Sequence, residues 1–205
     1  MQTCELTFRR ARAEDDASAI AAYIHLTDPY IYPTVCTDPR DGEWVELIRR
    51  CLPVPRELFS AEHLFLAMRG EETVGICCMI PCGAPLCFLE GIAVSKDLRQ
   101  RMALAMDGYF LPLLQETAAL EGYCVTNLCV DPGLRGQGVG KGLLAYCLSQ
   151  AGDAAVYLDV LAENPAAIRL YESLGFEVLR SYTGFSGSDE AVPCFHMRRP
   201  PAGRA

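Results

Sequence analysis

Leu128-Cys129-Val130-Asp131-Pro132-Gly133-Leu134-Arg135-Gly136-Gln137-Gly138-Val139-Gly140-Lys141-Gly142-Leu143-Leu144 is the stretch on which the reading of this sequence turns. Its first three residues close an apolar run, Tyr123 to Val130, that reads as a strand. Asp131-Pro132-Gly133 signals a turn, and Val139 to about Ala151 has the pattern of an amphipathic helix. Between turn and helix, glycine recurs at 136, 138, 140 and 142. So much glycine lets backbone N–H groups converge on an anion with no side chain in the way. The following helix points the positive end of its dipole at the same spot. A phosphate or pyrophosphate is the expected ligand, with Arg135 and Lys141 as nearby charge. A tight turn alone would not need four glycines.

Working outward, strands and helices alternate. Thr7 to Ala11 reads as a first strand, and Ala13-Glu14-Asp15-Asp16 supplies cap chemistry for a helix from about Ala17 to Ile24. The segment from Asp28 to Gly42 holds three prolines and reads largely as loop, followed by a helix over Glu43–Cys51. Leu64–Met68 and Thr73–Ile80 form a hairpin, and Leu86–Val94 reads as a further strand. A helix is expected from about Leu98 to Leu120, with a break at Pro112 and an end at Gly122. Beyond the glycine-rich helix come a strand over Ala154–Leu161, a helix over Asn164–Leu174, and strands over Phe176–Tyr182 and Val192–Met197. Hairpins mixed with strand–helix–strand units indicate one α/β domain on a mixed sheet. It would span residues 1–199, with 200–205 as a frayed tail.

The 205 residues suffice for one domain with a sizeable core, and 51% hydrophobic with 21% charged residues is a globular balance. Disordered, coiled-coil and collagen-like chains are excluded. The longest apolar runs fall short of a membrane span, and Met1-Gln2-Thr3-Cys4-Glu5 does not open like a signal peptide. A soluble cytoplasmic protein is expected. A net charge of −8 argues against a nucleic-acid backbone as partner and suits a cationic or amine substrate. Eleven cysteines, an odd number in a chain of this size, read as reduced thiols packed as small hydrophobes. Cys77, Cys78, Cys82 and Cys87 lack the C-x-x-C spacing of a zinc site, and Cys77 and Cys78 would face opposite sides of a strand. No metal is expected.

Two phosphate-binding patterns fail on spacing. The P-loop pattern would require glycine at Arg135 and serine or threonine at Gly142. The dinucleotide pattern started at Gly136 meets Lys141 in its last position, and the match from Gly140 to Ala145 falls inside the expected helix.

The quoted stretch resembles the acetyl-coenzyme A signature of the GNAT N-acetyltransferases, in which Arg135, Gly138 and Gly140 fill the fixed positions of [R/Q]-x-x-G-x-[G/A]. Leu158 to Glu177 resembles the family's second signature, with an N-x-x-A-x-x-[L/F]-Y-x-x-x-G-F core from Asn164 to Phe176. The resemblance is strong over about Val125–Val178, with the cofactor-binding core at about 123–178. It implies a central, largely antiparallel twisted sheet of about seven strands flanked by helices, and transfer of acetyl from acetyl-CoA to a primary amine by direct attack in a ternary complex. It further implies that Arg135, Gly136, Gln137, Gly138, Val139, Gly140 and Lys141 hold the pyrophosphate. Leu128, Cys129 and Val130 would offer backbone hydrogen bonds to the pantetheine and thioester. Asn164 would contact the cofactor or merely cap its helix. Tyr171 would protonate the leaving thiolate, a role suited to a phenol, or else fill the core.

The general base does not transfer, because no carboxylate stands early in the strand that begins Tyr123-Cys124. Glu90, in an apolar stretch, is the acidic candidate; water relayed by backbone and Asn127 is the alternative. Asp159 reads as a mid-strand acid satisfying a neighbour, and His25, His63 and His196 as structural. Families of this kind often form homodimers. Two rival readings stay open: a cofactor-binding module without turnover, and a nucleotide- or NAD-binding enzyme using the same loop.

Overall fold

The computed structural model describes residues 5–83, 89–105, 120–185 and 191–201. Seven strands form one sheet: β1 Leu6–Arg10, β2 Leu64–Arg69, β3 Glu72–Pro81, β4 Tyr123–Val130, β5 Val156–Leu161, β6 Glu177–Phe185 and β7 Ala191–Arg199. Six α-helices accompany them among the described residues: α1 Ala17–Thr27, α2 Tyr32–Val35, α3 Gly42–Cys51, α4 Lys96–Ala105, α5 Val139–Ala151 and α6 Pro165–Glu172. The sheet order is β1-β2-β3-β4-β5-β7-β6. Only β4 and β5 pair in parallel, joined by the α5 crossover; the other pairs are antiparallel.

Strand alternation divides the apolar side chains between two cores. Cys78, Ile76 and Ile80 of β3 face α1 and α3, whereas Cys77 and Met79 face α5. Adjacent cysteines thus lie on opposite faces, as their spacing implied, and all nine described cysteines are free thiols. On the first face Trp44 packs its ring 5.8 Å from Tyr32 and donates its indole N–H to Ala21 O at 3.0 Å. That cluster fixes Tyr32 against the sheet. On the second face α5 comes unusually close to β1, since a Cβ on Gly142 would lie 2.6 Å from the Phe8 ring. The glycine there serves packing rather than anion binding.

One expectation is corrected. The proline-bearing segment after α1 is largely loop as expected, with a single helical turn, α2, whose first turn holds Pro33 where no N–H is needed. Residues 89–94, expected as part of a strand, form none; the rest of that expected strand, 86–88, lies outside the described residues. Leu89 (φ 53°) and Gly91 (φ 77°) are left-handed and break any ladder. Their backbone groups go to side chains instead. Arg99 donates to Leu89 O at 3.0 Å and Ile92 O at 2.7 Å, while the Leu89 and Glu90 amides lie near the buried Glu57 carboxylate and favour its charged form. The expected helix from Leu98 is present as α4 up to Ala105, and its remainder, with the break at Pro112, lies outside the described residues.

β1 is pinned to the turn that leads into α1 by a two-point ion pair, Arg9 to Asp15, at 2.8 and 2.6 Å. The Arg12 amide adds a third donor at 2.7 Å. Bonding to Arg9, ahead of the opposing effect of burial, holds the Asp15 carboxyl below its usual range. The charged form is therefore favoured in the folded state, and its stabilisation is present above the unfolded value near 3.9 and lost as pH falls through the lower folded value. Asp15→Asn should cost about 1–3 kcal/mol at pH 7 in urea unfolding, and the gap from the parent should narrow below about pH 4.

Candidate active site

β4 and β5 pair at only three positions, Tyr123↔Val156, Cys124↔Tyr157 and Val125↔Leu158. Beyond Val125 the strands part. A register shift between Cys78 and Met79 of β3 leaves Thr126 as an extra residue in β4, a bulge that bends the strand where the split begins. Thr126–Val130 then continue beside β3, and Asp159–Leu161 beside β7. A wedge opens between them.

The wedge leads into a groove of about 760 Å3. Leu128, Cys129 and Val130 form one wall, Arg135, Gly136, Gly138, Val139, Gly140 and Lys141 the head, and Asn164 and Tyr171 the far wall. Gln137 is the one residue of the expected set outside the groove: its side chain turns back to donate to Gly133 O at 3.0 Å. The amides of Gly136, Gly138, Val139, Gly140 and Lys141 have no acceptor among the described residues. Gly138 is the N-cap of α5 at φ 83° and supplies no side chain to satisfy them. Convergent amides at a helix N-terminus, with Arg135 and Lys141 exposed beside them, make an anion seat. They fit the pyrophosphate of an acyl-CoA.

Thr27, Leu128, Leu161, Asn164, Ala167 and Tyr171 also border a deeper recess of about 140 Å3, which continues between α1, β4 and β5. Among apolar side chains, its polar lining consists of carboxylates and neutral hydrogen-bonders. Asn127, buried in the wall, donates to Thr27 Oγ1 at 2.7 Å and to Tyr32 Oη at 2.9 Å. Asp28 accepts from the Tyr30 and Ile31 amides, yet burial outweighs those bonds and raises its carboxyl above the usual range. Asp159 is clasped by His196 Nδ1 at 2.6 Å and Tyr182 Oη at 2.7 Å. Across the mouth, Tyr30 Oη donates to Glu163 Oε1 at 2.8 Å. The channel is thus cationic at the glycine loop and acidic at its inner end.

Tyr171 stands where groove and recess meet. It is buried, with its ring 5.8 Å from that of Phe176, and its hydroxyl bonds to no described residue. Burial raises its pKa, which keeps the phenol protonated at neutral pH. Asn164 caps α6 by accepting from Ala167 N at 3.1 Å and also lines both cavities, so capping and lining coexist. Glu90 is not brought to the cleft; it is exposed in the turn after Leu89 and lines neither cavity. Sequence reasoning missed Asp28, Tyr32 and the pairing of Asp159 with His196. An acid in the apolar run Leu158–Leu161 was the available signal for that pair.

Residues 110–178 match the model of the acetyltransferase (GNAT) domain. Over 80 residues the chain is 40% identical to the N-alpha-acetyltransferase RimI of Mycobacterium tuberculosis, covering 38% of this chain and 48% of that one. Over 76 residues it is 38% identical to the ribosomal protein bS18-alanine N-acetyltransferase of Escherichia coli, covering 36% and 51%. The matches thus span about half the length of these curated relatives. In fold, an N-acetyltransferase from Staphylococcus aureus Mu50 superposes with a TM-score of 0.70 at 16% identity, covering 94% of this chain and 99% of that one. Residues 110–178 are thus similar to a GNAT acetyltransferase domain, and the open, mostly antiparallel seven-stranded sheet has the fold of that solved N-acetyltransferase.

Valine at position 138 would force a branched residue to φ 83° and crowd the anion seat. Gly138→Val should weaken binding of coenzyme A by at least about tenfold in calorimetric titration, since 1–3 kcal/mol of backbone strain acts on the seat itself.

Proposed function

We propose that this chain is an acetyl-CoA-dependent N-acetyltransferase whose acceptor is a primary amine, and specifically the free α-amine of a peptide or small molecule. The observation that carries the reading is the continuity of one channel, from the unpartnered loop amides, past Tyr171, to the acidic recess. Acetyl-CoA supplies an activated acetyl thioester. The amides of Gly136, Gly138, Val139, Gly140 and Lys141, aided by the Arg135 and Lys141 cations, bind its pyrophosphate. The backbone of Leu128, Cys129 and Val130, freed by the strand split, aligns the pantetheine and offers an N–H to the thioester oxygen, where negative charge develops.

Tyr171 donates its proton to the departing sulfur. Its unpartnered hydroxyl and raised pKa suit an acid that must stay protonated until then. Asp159, oriented by His196 and Tyr182, accepts the proton given up by the attacking amine, directly or through one water. It takes the role first considered for Glu90. The recess carboxylates Asp28 and Asp159 draw in a cationic amine, and the names of the two bacterial relatives favour a peptide N-terminus. The reading takes residues 1–199 as one cytoplasmic domain, self-associating at most as a homodimer, without nucleic-acid or membrane partners. Among the described residues no helix is long and apolar enough to cross a membrane.

Calorimetry with acetyl-CoA, and with ATP and NADH as controls, should give selective binding of acetyl-CoA, and peptides with free N-termini should then be acetylated. Binding without transfer to any amine would leave a cofactor-binding module; binding of ATP or NADH instead would overturn the loop assignment. Tyr171→Phe should lower kcat by about 10²-fold with acetyl-CoA affinity nearly unchanged, and full activity would return the residue to the core. Asp159→Asn should reduce kcat/KM by a similar factor of about 10².

A further inference from the structure

β4 and α5 run away from the acyl-transfer channel toward the opposite end of the sheet, where Tyr123 and Gln150 border a separate cavity of about 320 Å3. Its size falls at the low end of small-molecule sites. Three basic side chains, from Arg10, Arg56 and His63, meet an apolar wall that includes Phe65 and Met79. We propose that this cavity binds a small carboxylate with an apolar or aromatic body, as a site distinct from the acetyl-CoA channel.

His63 provides the most specific indication. It is only 6% exposed, and its Nε2 is buried without a hydrogen-bond partner. Glu62 Oε1 lies 3.3 Å away, but not in hydrogen-bonding geometry. A buried ring nitrogen left unsatisfied is unfavourable, and a ligand oxygen in the cavity would relieve it. Desolvation lowers the His63 pKa, which favours the neutral ring over the cation.

Arg10 is already oriented. Its guanidinium lies 4.6 Å from the Phe65 ring centroid and donates to Glu62 O. Arg56 is held in a left-handed conformation, φ 64°, with its amide bonded to the Glu62 carboxylate, while its own guanidinium has no partner among the described residues. Non-glycine residues in that conformation concentrate at binding sites. The one carboxylate of the cavity, Glu62, is therefore engaged in positioning Arg56, and two guanidinium groups remain against it. Charge, donors and apolar wall together select an anion with an apolar body over inorganic phosphate or a cation.

The test is calorimetric titration of the full chain with benzoate, phenylacetate and hexanoate, each with and without saturating acetyl-CoA. Saturable one-site binding of at least one of them is expected in both conditions. Arg56→Gln and His63→Phe should each weaken it about tenfold, the loss of one charge-assisted or buried hydrogen bond, while acetyl-CoA affinity stays at the parent value. Arg56 is exposed, so its variant carries the test even where His63→Phe fails to fold. No saturable binding up to about 10 mM, displacement by acetyl-CoA, indifference to both variants, or equal affinity for inorganic phosphate would each overturn the proposal.

Discussion

The brevity of the β4–β5 pairing governs this molecule. Two parallel strands that stayed paired to their ends would satisfy each other's backbone and leave nothing for a ligand. Here the bulge at Thr126 turns β4 away after three paired positions, and β7 draws the end of β5 the other way. The wedge this creates is the only reason that an apolar strand end can face a groove. The same bend lets Asn127 reach Thr27 and Tyr32, tying the first helices to the middle of the sheet.

The site is consequently shared between distant parts of the chain. The loop amides and Tyr171 come from the second half, whereas Thr27, Asp28 and Tyr32 come from the first. Two cores flank the sheet, one anchored by Trp44 and Phe59, the other by Leu143, Leu144 and Met197, and β3 contributes to both. Neither core alone encloses the recess. Charge is distributed to match, with Arg135 and Lys141 at one end and the carboxylates of Asp28 and Asp159 at the other, a separation that the net charge of −8 conceals.

What was legible in the sequence is what short spacings encode. The glycine loop, the β2–β3 hairpin, the opposed Cys77 and Cys78 and the cap at Asn164 all depend on neighbours a few residues apart, and the structure contains each. Of the four glycines, however, Gly138 answers to loop geometry and Gly142 to the close approach of Phe8, a distinction that no spacing reveals. Residues 89–94 looked like a strand because they are apolar, but Arg99 claims their backbone from outside the segment, with the Glu57 carboxylate near their amides. Glu90 was misread with them. Asp159 was visible as an odd acid in an apolar strand, yet its clasp by His196 is a cross-strand pairing of β5 with β7, 37 residues away.

The position of β7 sets an order on the making of this protein. The strand lies between β5 and β6 although it follows both in the chain, so the β6–β7 pair joins the rest of the sheet only through β7 on β5. Until it arrives, β5 exposes a row of unpaired backbone groups and Asp159 lacks its imidazole partner. A chain that reaches only Glu177 therefore holds every residue of the two signatures but not the His196 partner of Asp159. β7 both covers the open edge of β5 and, through His196, orients the Asp159 carboxylate, so edge protection and the completed acid–imidazole pair come with the same strand.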